Sequence, residues 1–356
     1  MKIWRKCAAA LAIVFCLTQA AQAGALVKEK IDLDNLPEWE MRSADVGGTL
    51  LFSDSPEIVE QDGILYSDVV RGSARLLYYH LNGTKQPKKI VALLENSGRE
   101  DVNVTITNYG MGGPSSDYLY VGRTTQQQYF RGGNVAFAHV PARGKRLLLQ
   151  KMNDIVVEPE KLVYGVVDFD APAPVRVTVL MLPVTEDPLQ FVSKAKVLPA
   201  DASHLRGTFA GMDRVLKSDK IYDGKEHGPV AVTLADGVLD RYRTGIDATD
   251  GSIVENYGNY GVFYHIHIPT KGGGRTKYYL NPRGGVYSGA LTMRLGAHAS
   301  GKMLSTPRDR AFFGEDEKTD DITYLGEESN FRSVWFEFSP PGASNLPARL
   351  ILVPSK

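Results

Sequence analysis

Cysteine is nearly absent. The 356 residues contain two, Cys7 and Cys16. Downstream of them, disulfides, thiol catalysis and thiolate metal sites are excluded. An excess of one charge is also missing, with 41 basic and 41 acidic residues. No dense Lys/Arg run compensates, which argues against nucleic acid held by counterion release. No segment after the N-terminus reaches the roughly 18 consecutive apolar residues of a membrane-spanning helix. Catalytic fingerprints are missing too: no G-x-S-x-G elbow, no H-E-x-x-H, no phosphate loop and no G-x-G-x-x-G after a strand.

Residues 1–23 read as a secretory signal. Lys2, Arg5 and Lys6 form a basic start, residues 8–17 an apolar stretch, and Ala21-Gln22-Ala23 an A-x-A cleavage site. Val14-Phe15 before Cys16 is too bulky for a lipobox. Cleavage removes both cysteines and leaves 333 residues with 38 basic and 41 acidic side chains, a net charge of −3. The expected location is secreted or extracytoplasmic, at a cell surface or in a periplasm, with no transmembrane anchor after cleavage.

What is present is apolar residue, 43% of the chain, and 35 glycines. That suffices for one or two cores and excludes a disordered or collagen-like chain. Residues 24–43 are a polar leader expected to pack late or loosely. Then come short β-like runs. Residues 75–82 (RLLYYHLN) and 89–95 (KIVALLE) flank a turn-rich stretch. Residues 101–108 alternate, with Val102, Val104 and Ile106 on one side and Asn103, Thr105 and Thr107 on the other, the period of a half-buried strand. Residues 145–150, 162–170 and 174–182 continue the pattern. Residues 115–130 read as a helix behind Ser/Asp capping residues, and 187–196 as a second one with Pro188 near its start. Further strands are expected at 229–235, 261–269, 276–280, 286–295, 332–339 and 347–353. The fold class is mainly β: two antiparallel β-sandwich domains, Ig-like or jelly-roll-like, with one or two short helices. The sandwiches are placed at residues 44–185 and 205–356, joined by a linker with a short helix at 186–204.

Residues 95–112 (ENSGREDVNVTITNYGMG), 278–290 (YYLNPRGGVYSGA) and 340–354 (PPGASNLPARLILVP) resemble a poorly characterised group of exported bacterial envelope proteins. Members of that group often carry a copper amine oxidase-like N-terminal domain, whose own N-G-R-x-L-V-P-like run is missing here. The resemblance implies a secreted or surface β-rich protein without established catalysis. True copper amine oxidases build a quinone from the Tyr of an Asn-Tyr-acid-Asn/Tyr motif and hold copper with His-x-His and a third His. Asn256-Tyr257-Gly258-Asn259 has Gly in the acidic position, and it lies only eight residues before His265-Ile266-His267.

Several constellations are candidate sites. His265 and His267 share one side of a strand, opposite Val262, Tyr264, Ile266 and Ile268, so both imidazoles can reach one zinc or copper ion. A third ligand would come from His298, His227 or a carboxylate. The acids of 314–321 and of 247–250 offer oxygens for calcium, without the spacing of a standard loop. Tyr242, Tyr257, Tyr260, Tyr264, Tyr278, Tyr279 and Tyr287 are dense enough for a sugar-stacking face, with Tyr257 and Tyr260 expected to be exposed. Arg283, in the loop Asn281-Pro282-Arg283-Gly284-Gly285, can offer its fork to an acidic ligand. Asp236, Asp240 and Glu255 are acids in polar loops, open to hydrolytic roles or plain turn chemistry. No cofactor is required. The expected function is a non-catalytic exported envelope protein that binds a cell-wall polysaccharide or an envelope protein. The alternatives are a secreted carbohydrate-active enzyme and a metal-binding protein centred on His265 and His267.

Overall fold

The computed structural model describes residues 31–297, 299–315 and 319–355. The expected signal at 1–23, the first part of the leader, His298 and residues 316–318 lie outside that range.

Strands β1 (Arg42–Val46), β2 (Thr49–Ser53), β3 (Ile58–Val59), β4 (Gly63–Asn82), β5 (Lys88–Glu95) and β6 (Val102–Ser115) precede helix α1 (Tyr118–Arg131). Strands β7 (Ala136–Val140), β8 (Lys145–Leu147) and β9 (Leu162–Pro183) follow, then one turn of helix, α2 (Pro188–Phe191). Next come β10 (Arg206–Ala210), β11 (Asp213–Lys217), the single turn α3 (Gly224–His227), β12 (Val230–Leu234), β13 (Arg243–Ile246) and β14 (Ile253–Asn256). The chain then forms β15 (Phe263–Ile268), β16 (Arg275–Pro282), β17 (Gly289–Leu295) and β18 (Lys302–Thr306). It closes with β19 (Thr323–Ser329), β20 (Val334–Phe338) and β21 (Ala348–Pro354).

The fold is mainly β. An 11-stranded sheet runs β14-β13-β10-β2-β4-β9-β5-β8, with β3 on β4, β6 on β9 and β7 on β6. A 6-stranded sheet runs β1-β11-β15-β20-β17-β18, and a 4-stranded sheet β12-β21-β16-β19. Pairing is mostly antiparallel, as the short alternating runs imply. Three pairs depart from that: β2 with β4, β3 with β4, and β11 with β15 are parallel. None of the three is a hairpin pair; β3 meets the far end of β4, with the length of β4 itself lying between the paired residues.

Residues 186–204 do not divide these sheets. β10, β13 and β14 come after that segment and extend the sheet built on β2, β4 and β9. β1, from before it, edges the sheet of β11 and β15. Part of the polar leader is likewise built in. Trp39 is buried, Glu38 bridges to Ala231, and Arg42–Val46 is a paired strand.

The reason for the apolar run at 75–82 is that both faces of the central strands are covered. Leu50, Phe52, Leu77 and Tyr79 point into a core shared with the other two sheets. Leu51, Leu76 and Tyr78 point into a second core closed by β5, β6 and β9. β4 and β9 pair along nearly their whole length, from Gly63 opposite Met181 to Leu81 opposite Leu162. The alternation in β6 holds, since Val102, Val104 and Ile106 are buried.

Helix α1 starts where the Asp117 carboxylate accepts from the Tyr120 N–H at 2.9 Å. Val121, Thr125 and Tyr129, one turn apart, face inward with Gly122 and Gln126. Gly122 lies so close to the backbone of Gly342 that a Cβ would sit 1.9 Å from its carbonyl oxygen. That contact seats the loop of residues 342–345 on the helix. Gln126 fastens β17 by accepting from the Ala290 N–H at 2.5 Å.

One buried cation joins the 11-stranded sheet, the 6-stranded sheet and α1. Arg75 on β4 faces Asp168 on β9 and grips it with two bonds, Nε to Oδ1 at 2.7 Å and Nη2 to Oδ2 at 2.9 Å. Its Nη1 donates to Asp213 Oδ1 at 3.0 Å, to the Met212 carbonyl at 2.8 Å and to the Gly261 carbonyl at 3.1 Å. Tyr129 of α1 donates to Asp168 Oδ2 at 2.6 Å. Arg75 is 3% exposed, so its replacement leaves two part-buried carboxylates without their cation. Arg75→Leu is expected to lower the unfolding free energy by roughly 3–5 kcal/mol in urea denaturation. A loss below about 1 kcal/mol would show that the network contributes little to stability.

Candidate functional site

At the end of β2 the chain turns through Ser53-Asp54-Ser55-Pro56-Glu57, and two side chains hold that turn. His80 on β4 meets the Ser53 hydroxyl through Nε2 at 2.8 Å and the Pro56 carbonyl through Nδ1 at 2.9 Å. Nδ1 therefore carries the proton and donates, and Nε2 accepts. Asp201 accepts from the Ser55 hydroxyl at 2.9 Å and from the Glu57 N–H at 2.8 Å. Burial in this spot holds the His80 imidazole down at a pKa of about 4.

The turn forms one wall of a cavity of about 340 Å³. That lies within the roughly 300–1,000 Å³ typical of small-molecule sites. Phe52, Leu77 and Leu205 make its floor, and four tyrosines contribute rings: Tyr79, Tyr118, Tyr164 and Tyr260. Tyr79 and Tyr164 are directly opposite each other on β4 and β9, with centroids 5.7 Å apart and edge to face. Tyr260 is fixed by its hydroxyl, which donates to the Ser344 carbonyl at 2.6 Å, and by Asn256, which brackets its backbone. Tyr118 opens α1 and stands at 37% exposure. Residues 342–345 complete the lining, with Gly342 against the Tyr79 and Tyr164 rings.

Two carboxyls belong to this cavity. Asp54 Oδ1 is buried and meets no hydrogen-bond donor among the described residues. Burial pushes the Asp54 pKa well above the usual carboxylate range, and the negative charges of Glu57 and Asp201 add to the shift. Glu57 is raised as well, by partial burial and then by Asp201. Nearby cations are spent elsewhere. Arg206 binds Asp247 and the carbonyls of Ser55, Leu65 and Leu198. Arg75 is committed to Asp168 and Asp213. The cavity is thus aromatic, acidic and free of basic lining residues.

Of the residues singled out from sequence, Tyr260 alone belongs here, as a half-buried wall and not as an exposed ring. Tyr257 is 54% exposed and packs edge-on against Tyr242. Tyr264, Tyr278, Tyr279 and Tyr287 lie in the core, so the expected tyrosine face is divided between surface and interior. Sequence reading missed Asp54, Glu57, Tyr79, Tyr118 and Tyr164. The local signal was an Asp and a Glu straddling a proline just after an apolar strand.

His265 and His267 do lie opposite the buried Val262, Tyr264, Ile266 and Ile268. Their surroundings differ. His265 Nε2 is 3.9 Å from Asp213 Oδ2, whereas His267 stacks on Trp335 at 4.2 Å. Burial lowers the His267 pKa, and the charges of Lys217 and Arg294 lower it further. His227 is committed to a cluster with Trp39 and Tyr222. Arg283 donates to Asp34 at 2.7 Å, so its fork is already engaged within the chain. Asp240 is buried between Arg214 and the Tyr264 hydroxyl, and Asp236 accepts from the N–H groups of Val238 and Asp240. Those two acids do structural work, and Glu255 is exposed.

Asp247 and Asp250 come together with His204. Asp247 Oδ2, however, already accepts from Arg206 at 2.6 Å and His204 at 2.8 Å. A guanidinium on the same oxygen opposes a cation there. In the acidic loop, Asp321 accepts from Arg310 and from the Gly314 N–H.

No protein family matches the chain, and no curated protein matches it. Among solved structures, it is similar to the PBSX exported protein XepA at 10% identity, over 82% of this chain and 86% of that one, with a TM-score of 0.17. It is similar to a Paenibacillus xanthan lyase at 8% identity and a TM-score of 0.18, over 92% of this chain. The match spans only 27% of the lyase. The CUB1-EGF-CUB2 segment of human MASP-1/3 matches at 11% identity, over 88% of this chain and 99% of that one, with a TM-score of 0.19. Among the described residues no helix is long and apolar enough to cross a membrane.

Two pH responses follow from the turn at the cavity wall. His80 has a folded pKa below its ordinary 6.5, so the unfolded chain takes up the proton first. Its contribution is complete above pH 6.5 and falls by about 3 kcal/mol as the pH drops to about 4. A His80→Asn variant is expected to lose that dependence in urea titrations at a series of pH values. Asp54 has the opposite sign. Its folded pKa is raised, so stability falls as the pH climbs from the ordinary carboxylate value through the folded one. Asp54→Asn is expected to resist urea better than the parent at pH 8, with the gap closing towards pH 4. An Asp54→Asn variant less stable at pH 8 would mean that the carboxylate has a favourable partner.

Proposed function

We propose that the protein is a non-catalytic, exported component of the cell envelope that binds a polysaccharide, and that the tyrosine-lined cavity holds one sugar unit of it. The observation that carries the reading is the cavity itself. Four phenol rings offer flat apolar faces to a sugar ring, and hydroxyls and carboxyls offer hydrogen bonds to its edge. The missing catalytic fingerprints and the export-type N-terminus fit the same reading. A metal-binding role centred on His265 and His267 draws less support, because Lys217 and Arg294 oppose a cation beside His267.

A second reading has one specific observation in its favour. Asp54, with its pKa raised by burial, is three residues from the more exposed Glu57, and an acid paired with a carboxylate is the equipment of glycoside hydrolysis. The two readings part on one assay. Purified cell wall and soluble polysaccharides are incubated with the protein, and bound protein and new reducing ends are measured together. The binding reading expects retention without reducing ends. Release of reducing ends that Asp54→Asn abolishes would replace it with the enzymatic one. Tyr118, at the cavity mouth, tests the location: Tyr118→Ala is expected to weaken polysaccharide binding about tenfold while leaving the unfolding midpoint near the parent value. Unchanged affinity would place the binding surface elsewhere.

A further inference from the structure

We infer that the sugar unit held in the tyrosine cavity carries a positive charge, the free ammonium group of an amino sugar that lacks its N-acetyl substituent. The inference rests on the proposed polysaccharide binding and narrows it to one chemical class.

The argument begins with charge. The cavity has Asp54 and Glu57 in its lining and no lysine, arginine or histidine. Asp54 Oδ1 is buried with no donor among the described residues, an arrangement that costs stability unless something supplies the missing bond. A sugar hydroxyl can donate to that oxygen but brings no charge to offset the two acids. An ammonium supplies three donors and a full positive charge. The rings point the same way. A cation is drawn to the negative face of an aromatic ring, and a cage of several such rings is a recurrent means of holding ammonium groups. Tyr79, Tyr164 and Tyr260 all lie within electrostatic reach of Asp54.

The walls make the selection rigid. Tyr79 and Tyr164 are fixed on the longest strand pair of the protein, and Tyr260 is tied to Ser344. The Asp54 turn is clamped by His80 and Asp201. The cavity therefore offers a preformed negative pocket and need not reorganise to accept a cation. An N-acetyl group would bring a neutral amide with no charge for Asp54 to answer, and a methyl group beside a carboxylate.

The groups that face Asp54 are Glu57 on the same turn, Asp201 behind it, His80 below, and the Tyr79, Tyr164 and Tyr260 rings. With two acids and no cation among them, nothing in the chain offsets a negative charge at this wall, and a bound ammonium would.

The test is calorimetry with the intact protein at pH 6, where the amine series is mostly in its ammonium form. Oligomers of β-1,4-linked glucosamine are compared with fully N-acetylated oligomers of the same length. The expected result is affinity higher by about tenfold or more for the amine series. Asp54→Asn should abolish the preference. Glu57→Gln, at an exposed position, serves as a second variant and should reduce the preference if Asp54→Asn misfolds. Equal affinity for the two series, or tighter binding of the acetylated one, overturns the charge assignment and leaves polysaccharide binding standing. An amine preference that survives both variants overturns the assignment to this cavity. If neither series binds and purified cell wall is not retained either, the function proposed above falls with it.

Discussion

The guanidinium of Arg75 is the contact on which the arrangement of sheets depends. It is on β4 in the 11-stranded sheet, grips Asp168 on the neighbouring strand, and reaches Asp213 at the start of β11 in the 6-stranded one. Tyr129 brings α1 to the same point. In a chain without cysteines after position 16, no covalent bridge can fix one sheet against another. A shared buried cation with several acceptors does so by geometry, since each bond has a direction that apolar packing lacks. Arg206 repeats the device where residues 198–206 return to β2, and Arg214 repeats it between Asp45 and Asp240.

The cavity inherits its precision from this frame. Tyr164 is four residues from Asp168, and Tyr79 four from Arg75, on the same pair of strands. Whatever holds that register holds the two rings. The remaining walls come from far along the chain, at the start of α1, at Tyr260 and at residues 342–345. Gly122 allows the last of these to approach the helix. A site assembled from seven separate stretches has no local sequence pattern of its own.

That explains how unevenly the fold and the site could be read. Alternation exposed β6 and both sides of β15, because one side of each strand is markedly drier than the other. The Asp117 cap and the Pro188 start were legible because capping is local chemistry. β9 read as two strands, since Ala171-Pro172-Ala173-Pro174 looks like a turn. In the structure a bulge opposite Val70 and Gly72 absorbs those prolines and the strand continues. β10, β13 and β14 are short and rich in polar or small residues, and they are strands because a neighbouring sheet edge receives them. Asp54 was not singled out from sequence. Its isolation depends on Leu205, Tyr164 and Tyr260, which no spacing rule connects to it.

The small sheet β12-β21-β16-β19 carries a consequence for how the molecule is made. Its strand β21 pairs with β12, and β12 in turn receives Glu38 from near the other end of the described chain. The shared core contains both Trp39 and Leu352. Contacts spanning three hundred residues of sequence must close before that core is dry. Such topology belongs to slow folders, whose intermediates expose apolar strands for long periods. A polypeptide of this design cannot close its core until its last strand has arrived, so a chain cut short of β21 would leave Trp39 without its cover.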